Sequence, residues 1–330
     1  MRVPGFDALR ALAALAVVLF HYRGVRTPGD AAVSALASLP ALDAVIANGS
    51  LGVDVFFFLS GFLLVRPWVR ALHTGDPPPR MRDFFVRRLR RLVPAYYAQL
   101  AFLFLVMLPV FMGTAYVARE AGLVAYNAVV HALFLQFTTP LSAGSFGLNG
   151  ALWTLTLEAE FYLLLPWLAP RVVRAPWRSL ALAIALTLAW RWLAHNDLQR
   201  LVAWQLSLGD RWSIPESAVR DLLAKQLPGY AAQFGFGMAL GTAWWRREAS
   251  GRVAKATWLD GPAFQWAAAV SYAVYLWHVP LLLAWNAARV LDGSPASLPA
   301  YLFVLGLVAI ASWRWIERPF LAEGAGVRRL

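Results

Sequence analysis

The side chains best suited to chemistry in this chain lie inside apolar runs. Asp7, Arg10 and His21 fall within GFDALRALAALAVVLFHY, residues 5–22, a segment otherwise apolar enough to sit in a bilayer. At about 100° per residue, Arg10 and His21 return to within about 20° of one another, and Asp7 falls within about 60° of both. The polar groups therefore make one stripe. Arg10 and His21 are separated along it by about 16 Å, near half the hydrocarbon thickness. Ionisable groups are costly in hydrocarbon and by default mark a functional site. A histidine suits general-base work near neutrality. The plainer reading is a membrane boundary, with Arg10 snorkelling to the interface or pairing with Asp7 three residues away.

Four further stretches carry candidate groups. In LGVDVFFFLSGFLL, residues 51–64, Asp54 sits in an apolar helix, and Ser60-Gly61 would admit a close helical neighbour. In RRLRRLVPAYY, residues 87–97, Arg88 and Arg91, or Arg87 and Arg90, share a helix face. Guanidinium forks suit the phosphates of a nucleotide or coenzyme A, while an ordinary basic flank is the alternative. In NGALWTLTLEAEFYLLLP, residues 149–166, Glu158 and Glu160 point to different faces and do not form a dyad. A buried Glu158 could orient or charge against a histidine, whereas a boundary one would not. In SYAVYLWHVP, residues 271–280, Tyr275 and His278 share a face, either inside the protein or in an interfacial aromatic belt. His73 and His131 lack a motif, and His195 sits at a helix end. No histidine has metal-ligand spacing, so no metal is expected, and no glycine-rich phosphate loop appears.

Elements that could hold these groups follow from composition and periodicity. The 330 residues are 60% hydrophobic and 15% charged, against about 45–50% and about 25% in soluble domains. The reading is an all-α, polytopic helical transmembrane bundle of about 8–10 membrane helices. Apolar runs fall at 6–22, 49–66, 94–113, 120–137, 150–169, 179–195, 228–245, 264–288 and 298–316, with 126–137 short enough to be interfacial or re-entrant. Pro94 is expected in a first helical turn. The net charge of +12 comes from arginines clustered at the ends of apolar runs, which is the positive-inside pattern rather than a nucleic-acid footprint. Arg66–Arg91, Arg171–Arg178, Arg246–Lys255 and Arg328–Arg329 supply these clusters. If all are cytoplasmic, both termini are cytoplasmic and the crossing number is even, in conflict with nine runs. The 16 Trp fit interfacial belts. The absence of Cys excludes a thiolate nucleophile or an enzyme-bound thioester. No cleavable signal is expected in a first run that carries Asp7 and Arg10. One membrane-embedded domain is expected over 1–330, with a core at 6–320 and a short basic cytoplasmic tail at 321–330. The polar stretch 196–225 is expected as a non-cytoplasmic loop shaping an acceptor pocket.

Six motifs in this order resemble the acyltransferase family 3 membrane proteins, integral-membrane enzymes that O-acylate sugars, polysaccharides, lipid-linked glycans and some antibiotics. They are Arg10 and His21 in the first run; Gly52, Val53, Asp54, Phe56, Phe57, Ser60, Gly61 and Phe62; and Arg87, Arg88, Arg91, Leu92 and Pro94. Leu152, Trp153, Leu155, Glu158, Phe161 and Tyr162 make the fourth; Ser271, Tyr272, Tyr275, Leu276, His278 and Pro280 the fifth; and Glu317, Arg318, Pro319 and Phe320 the last. Thr154, Ala159 and Glu160 depart from the family's usual residues. With the chain ending shortly after Phe320, an appended soluble hydrolase-like domain is not expected, and direct transfer within the membrane is favoured.

The resemblance implies a membrane-bound O-acyltransferase of the bacterial inner (cytoplasmic) membrane. It would move an acyl group, most often acetyl, from cytosolic acyl-coenzyme A to a hydroxyl of a glycan, glycolipid or glycosylated small molecule. It implies catalytic roles for His21, Arg10, Glu158 and Asp7, donor binding by Arg88, Arg91 and Arg87, and support from Asp54, Ser60, Trp153, Tyr275 and His278. Glu158 or Asp7 would orient His21, and Arg10 would hold donor phosphates or the oxyanion. An acyl-histidine intermediate stays open. No resident cofactor is implied; acyl-coenzyme A is a substrate, and the other partner is the lipid bilayer. A membrane transporter or exporter using the same polar stripe is the competing class.

Overall fold

A computed structural model describes residues 3–25, 31–197, 216–251, 257–291 and 294–322. The centre of the 196–225 stretch, Arg252, Lys255, Arg328, Arg329 and most of the 321–330 tail lie outside the described residues. Among the described residues every regular element is a helix. The main ones are α1 (Phe6–Val25), α2 (Pro40–Ala47), α3 (Leu51–Leu64), α4 (Arg66–Thr74), α5 (Met81–Phe102), α6 (Ala121–Ala132), α7 (Trp153–Arg174), α8 (Pro176–Asn196), α9 (Glu216–Ala224), α10 (Ala231–Ala249), α11 (Pro262–Ala287) and α12 (Ser297–Ser312).

Each of the expected apolar runs holds a helix. Among the described residues five stretches are long and apolar enough to cross a membrane: Phe6–Val25, Leu51–Thr74, Met81–Met112, Pro262–Ala287 and Ser297–Leu321. The class is therefore an all-α polytopic membrane protein. α6 has 12 residues. At 1.5 Å per residue that is about 18 Å, too short to span, as the 126–137 reading anticipated. One expectation is overturned. Pro94 does not open a helix; α5 begins at Met81 and runs through it. Proline cannot donate to the Arg90 carbonyl, but the arginine-rich turns before it are already helical and carry the chain through.

Contacts divide the chain into two compact units. The first comprises Met1–Phe56, Val86–Tyr116 and Ala254–Leu330. Here α1 and α11 run side by side in the same direction. The Gly5 amide donates to Asp260 Oδ1 at 2.7 Å near one end, and Asn286 Nδ2 donates to the Val25 carbonyl at 3.2 Å near the other. Tyr22, Tyr301, Leu282 and Leu305 pack between α1, α11 and α12. A Cβ at Gly52 would run into the Ala13 carbonyl, so this glycine sets the close approach of α3 to α1.

The second unit comprises Phe57–Phe85 and Val117–Val253. Its helices meet through small residues, the usual device where lipid supplies no hydrophobic drive for association. A Cβ at Gly61 would strike the Phe234 carbonyl, and Cβ atoms at Gly237 and Gly241 would strike the carbonyls of Phe58 and Phe62. Phe161 stacks on Phe234 with ring centroids 4.0 Å apart. Trp245 Nε1 donates to the Phe62 carbonyl at 2.9 Å. Gly61 thus does what its pairing with Ser60 suggested.

Candidate active site

In the first unit, α1 presents His21 to α11. His21 Nδ1 lies 2.9 Å from the Val17 carbonyl and 3.3 Å from His278 Nε2. The two rings meet edge to face, with centroids 4.9 Å apart. His278 is fully buried, and its Nδ1 lies 2.6 Å from the Tyr275 carbonyl. A carbonyl only accepts, so each Nδ1 carries the proton. His278 Nε2 then offers a lone pair to His21 Nδ1–H, and His21 Nε2 carries the lone pair that a general base requires. Tyr301 braces this arrangement by donating to the His278 carbonyl at 2.7 Å, and the Phe56 ring meets the Tyr275 ring edge-on at 6.0 Å. Burial of His278 excludes the interfacial-belt reading. No local pattern relates His21 to His278, since they are 257 residues apart.

α5 runs parallel to α11 within the same unit. Tyr272 donates to the Leu92 carbonyl at 2.8 Å, and the Phe102 and Trp277 rings meet 5.3 Å apart. Arg88 and Arg91 are half-buried on α5, whereas Arg87 is exposed. Glu317, from the last motif, is buried in the same unit. Asp7, Arg10 and Asp54 are half-buried in this unit.

In the second unit, Glu158 accepts from Tyr162, one turn along α7. Trp153 stands in an aromatic box with Phe57, Phe137 and Tyr230, at centroid distances of 6.0, 5.8 and 5.2 Å, and Lys225 Nζ lies 5.8 Å from its ring centroid. Ser60 is half-buried on α3. A further pair has no sequence motif: His131 Nε2 lies 2.7 Å from Ser145 Oγ, and His131 Nδ1 lies 2.7 Å from the Asn127 carbonyl. By the same proton argument Ser145 donates to His131. Ser145 and Phe146 hold φ of 49° and 56°, a conformation that local sequence does not announce. Both members are sealed, at 0% and 4% exposure, so the pair ties α6 to the loop that leads into α7. Among the described residues no group of three His, Cys, Asp or Glu side chains gathers as a metal set.

The chain is similar to several curated proteins. It is 30% identical over half its length to the peptidoglycan O-acetyltransferase OatA of Listeria monocytogenes, and 32% identical over half its length to YrhL of Bacillus subtilis, a putative peptidoglycan O-acetyltransferase by name. It spans only 24% and 23% of those two proteins. It is 28% identical to the exopolysaccharide production protein ExoZ of Rhizobium meliloti, over 85% of this chain and 92% of that protein. No solved structure matches it significantly. The family described as the acyltransferase domain matches residues 3–261, which hold His21, Asp54, the α5 arginines and Glu158. The chain belongs to this acyltransferase family.

Proposed function

We propose that the chain is a single membrane-embedded domain acting as an O-acetyltransferase, with acetyl-coenzyme A as donor and a glycan hydroxyl as acceptor. The observation that carries the chemistry is the His21–His278 pair, which supports an unprotonated Nε2 on His21. The acceptor is read from relatives named for peptidoglycan O-acetylation and exopolysaccharide production, the latter aligned over most of both chains. His21 Nε2 takes the acceptor hydroxyl proton. The oxygen attacks the thioester carbonyl, the C–S bond breaks, and coenzyme A leaves as the thiol with the proton returned by His21. His278 orients the ring and accepts from Nδ1–H while the imidazolium persists.

Arg88 and Arg91 hold the donor's anionic end. α1 is uninterrupted, so Arg10 lies about 16 Å along the axis from His21. That is beyond reach of an oxyanion beside His21, and Arg10 joins the donor-binding arginines instead. Asp7 and Asp54 order the charges around it, while Glu158, Ser60 and Trp153 belong to the acceptor side of the reading. The basic clusters support cytoplasmic termini, and the family supports a multi-pass enzyme, which we read as one of the bacterial inner membrane.

Calorimetry on protein in nanodiscs tests the donor half. Acetyl-coenzyme A should bind wild type and His21→Ala but not Arg88→Ala/Arg91→Ala, and acetyl transfer to polysaccharide should vanish in His21→Ala. A folded wild type that does not bind acetyl-coenzyme A overturns the reading.

A further inference from the structure

Between the arginines of α5 and the histidine pair lies a set of buried hydrogen-bonding atoms with no protein partner. Gln99 is 0% exposed, and neither Oε1 nor Nε2 makes a hydrogen bond. Trp277 Nε1, also buried, has none either. Leaving such atoms unpaired is costly, so an orphaned amide and indole inside a membrane protein need an explanation.

Their placement supplies one. The Tyr272–Leu92 hydrogen bond and the Phe102–Trp277 ring contact fix the register of α5 against α11 at two levels. Gln99 lies three residues before Phe102, on the same helix face. It is therefore about one turn below the level of Trp277, and Trp277 adjoins His278, the partner of His21. In the other direction Gln99 is about 12 Å beyond Arg91 along α5. From Arg91 to the Phe102 level is about 16 Å. By their level along the helices, the orphaned atoms thus fall between the anion-binding end and the proposed base.

We infer that Gln99 and Trp277 bind the pantetheine arm of the acyl donor. The arm links the pyrophosphate to the thioester through about twelve bonds, the length of roughly four extended residues or ~14 Å. It carries two amides, and little else along it can hydrogen-bond with directional precision. A primary amide offers an acceptor and a donor on one edge. Gln99 Oε1 accepts from the N–H, and Nε2 donates to the C=O, at the two ends of the β-alanine unit. Trp277 Nε1 donates to the remaining carbonyl. This assignment rests on the acyl-coenzyme A reading above, and it adds a specificity role: the seam selects a pantetheine thioester over a bare nucleotide.

The test compares two ligands in nanodiscs by calorimetry: acetyl-coenzyme A, and adenosine 3′,5′-bisphosphate, which keeps the 3′-phosphate and the inner 5′-phosphate but has neither the outer phosphate nor the pantetheine. Gln99→Leu and Trp277→Phe should each weaken acetyl-coenzyme A about tenfold and leave the bisphosphate unchanged. Wild-type affinity for both ligands in both variants overturns the inference. Should Gln99→Leu lose both ligands through misfolding, Trp277→Phe decides: selective loss of acetyl-coenzyme A supports the assignment, and wild-type affinity for both ligands overturns it. A folded wild type that binds neither ligand removes the donor reading itself, and this inference with it. Binding of acetyl-coenzyme A by wild type with no effect of either variant removes the inference alone.

Discussion

At the scale of single residues, the histidine pair separates chemistry from support. His21→Ala removes the proposed base, and general-base losses run to about 10²–10⁴-fold in rate. In the same proposal His278 acts through His21 and is a positioning residue. His278→Phe keeps a ring but leaves Nδ1–H only the Val17 carbonyl to donate to, and kcat should fall about tenfold or more while acetyl-coenzyme A still binds. His278→Gln, whose Oε1 can accept from Nδ1–H, should recover part of that loss; steady-state acetyl-transfer kinetics in nanodiscs read both. Equal activity in the phenylalanine and glutamine variants would contradict the role. Little of this was legible in the chain. Helical periodicity puts Arg10 and His21 on one stripe, but nothing local relates His21 to a histidine 257 residues away. Gln99 reads as one polar residue in an apolar run; only its burial without a partner gives it meaning.

Elements were the more legible scale, because hydrophobic periodicity survives whatever tertiary contacts follow. Boundaries were less so. Pro94 marks a helix start by local preference, yet the helix begins at Met81, since one missing hydrogen bond cannot outweigh the turns on either side. The helix junctions also carry testable devices. Asp260 accepts from the Thr257 amide at 2.7 Å and the Gly5 amide at 2.7 Å, clasping the start of α1 to the turn before α11. These amides, Thr257 first and Gly5 second, hold its carboxyl below the usual carboxylate range. A depressed folded-state value means the clasp is intact above the ordinary carboxylate pKa and is lost as pH falls through the lowered one. The protection of the Gly5 amide, its exchange rate relative to the intrinsic rate at the same pH, should therefore fall on acidification in wild type and be already low at neutral pH in Asp260→Ala. In the other unit, Gly237→Leu drives a side chain into the Phe58 carbonyl. Overpacking of this kind costs about 1–3 kcal/mol, and the variant should unfold several degrees lower in a thermal scan.

For the whole molecule, charge is the property that sequence expresses most directly and coordinates least, because the bilayer and its potential set the orientation of every helix together. The net charge of +12 is nearly all arginine at the ends of apolar runs. Insertion follows the cytoplasmic excess of Lys and Arg in short loops, not the total charge. Arg87 on α5, Arg171 and Arg174 at the end of α7, and Arg246 and Arg247 at the end of α10 should then all face one compartment. The proposed donor, a coenzyme A thioester, is a cytosolic polyanion, so the proposal requires the same compartment to face Arg88 and Arg91. Because the chain has no Cys, each introduced cysteine reports alone. Cysteines replacing exposed Arg87 and Arg171 should react with a membrane-impermeant maleimide in inverted inner-membrane vesicles and stay unlabelled in intact spheroplasts. Labelling of Arg87→Cys from outside would place the arginines away from cytosolic thioester and break the link between the charge pattern and the donor.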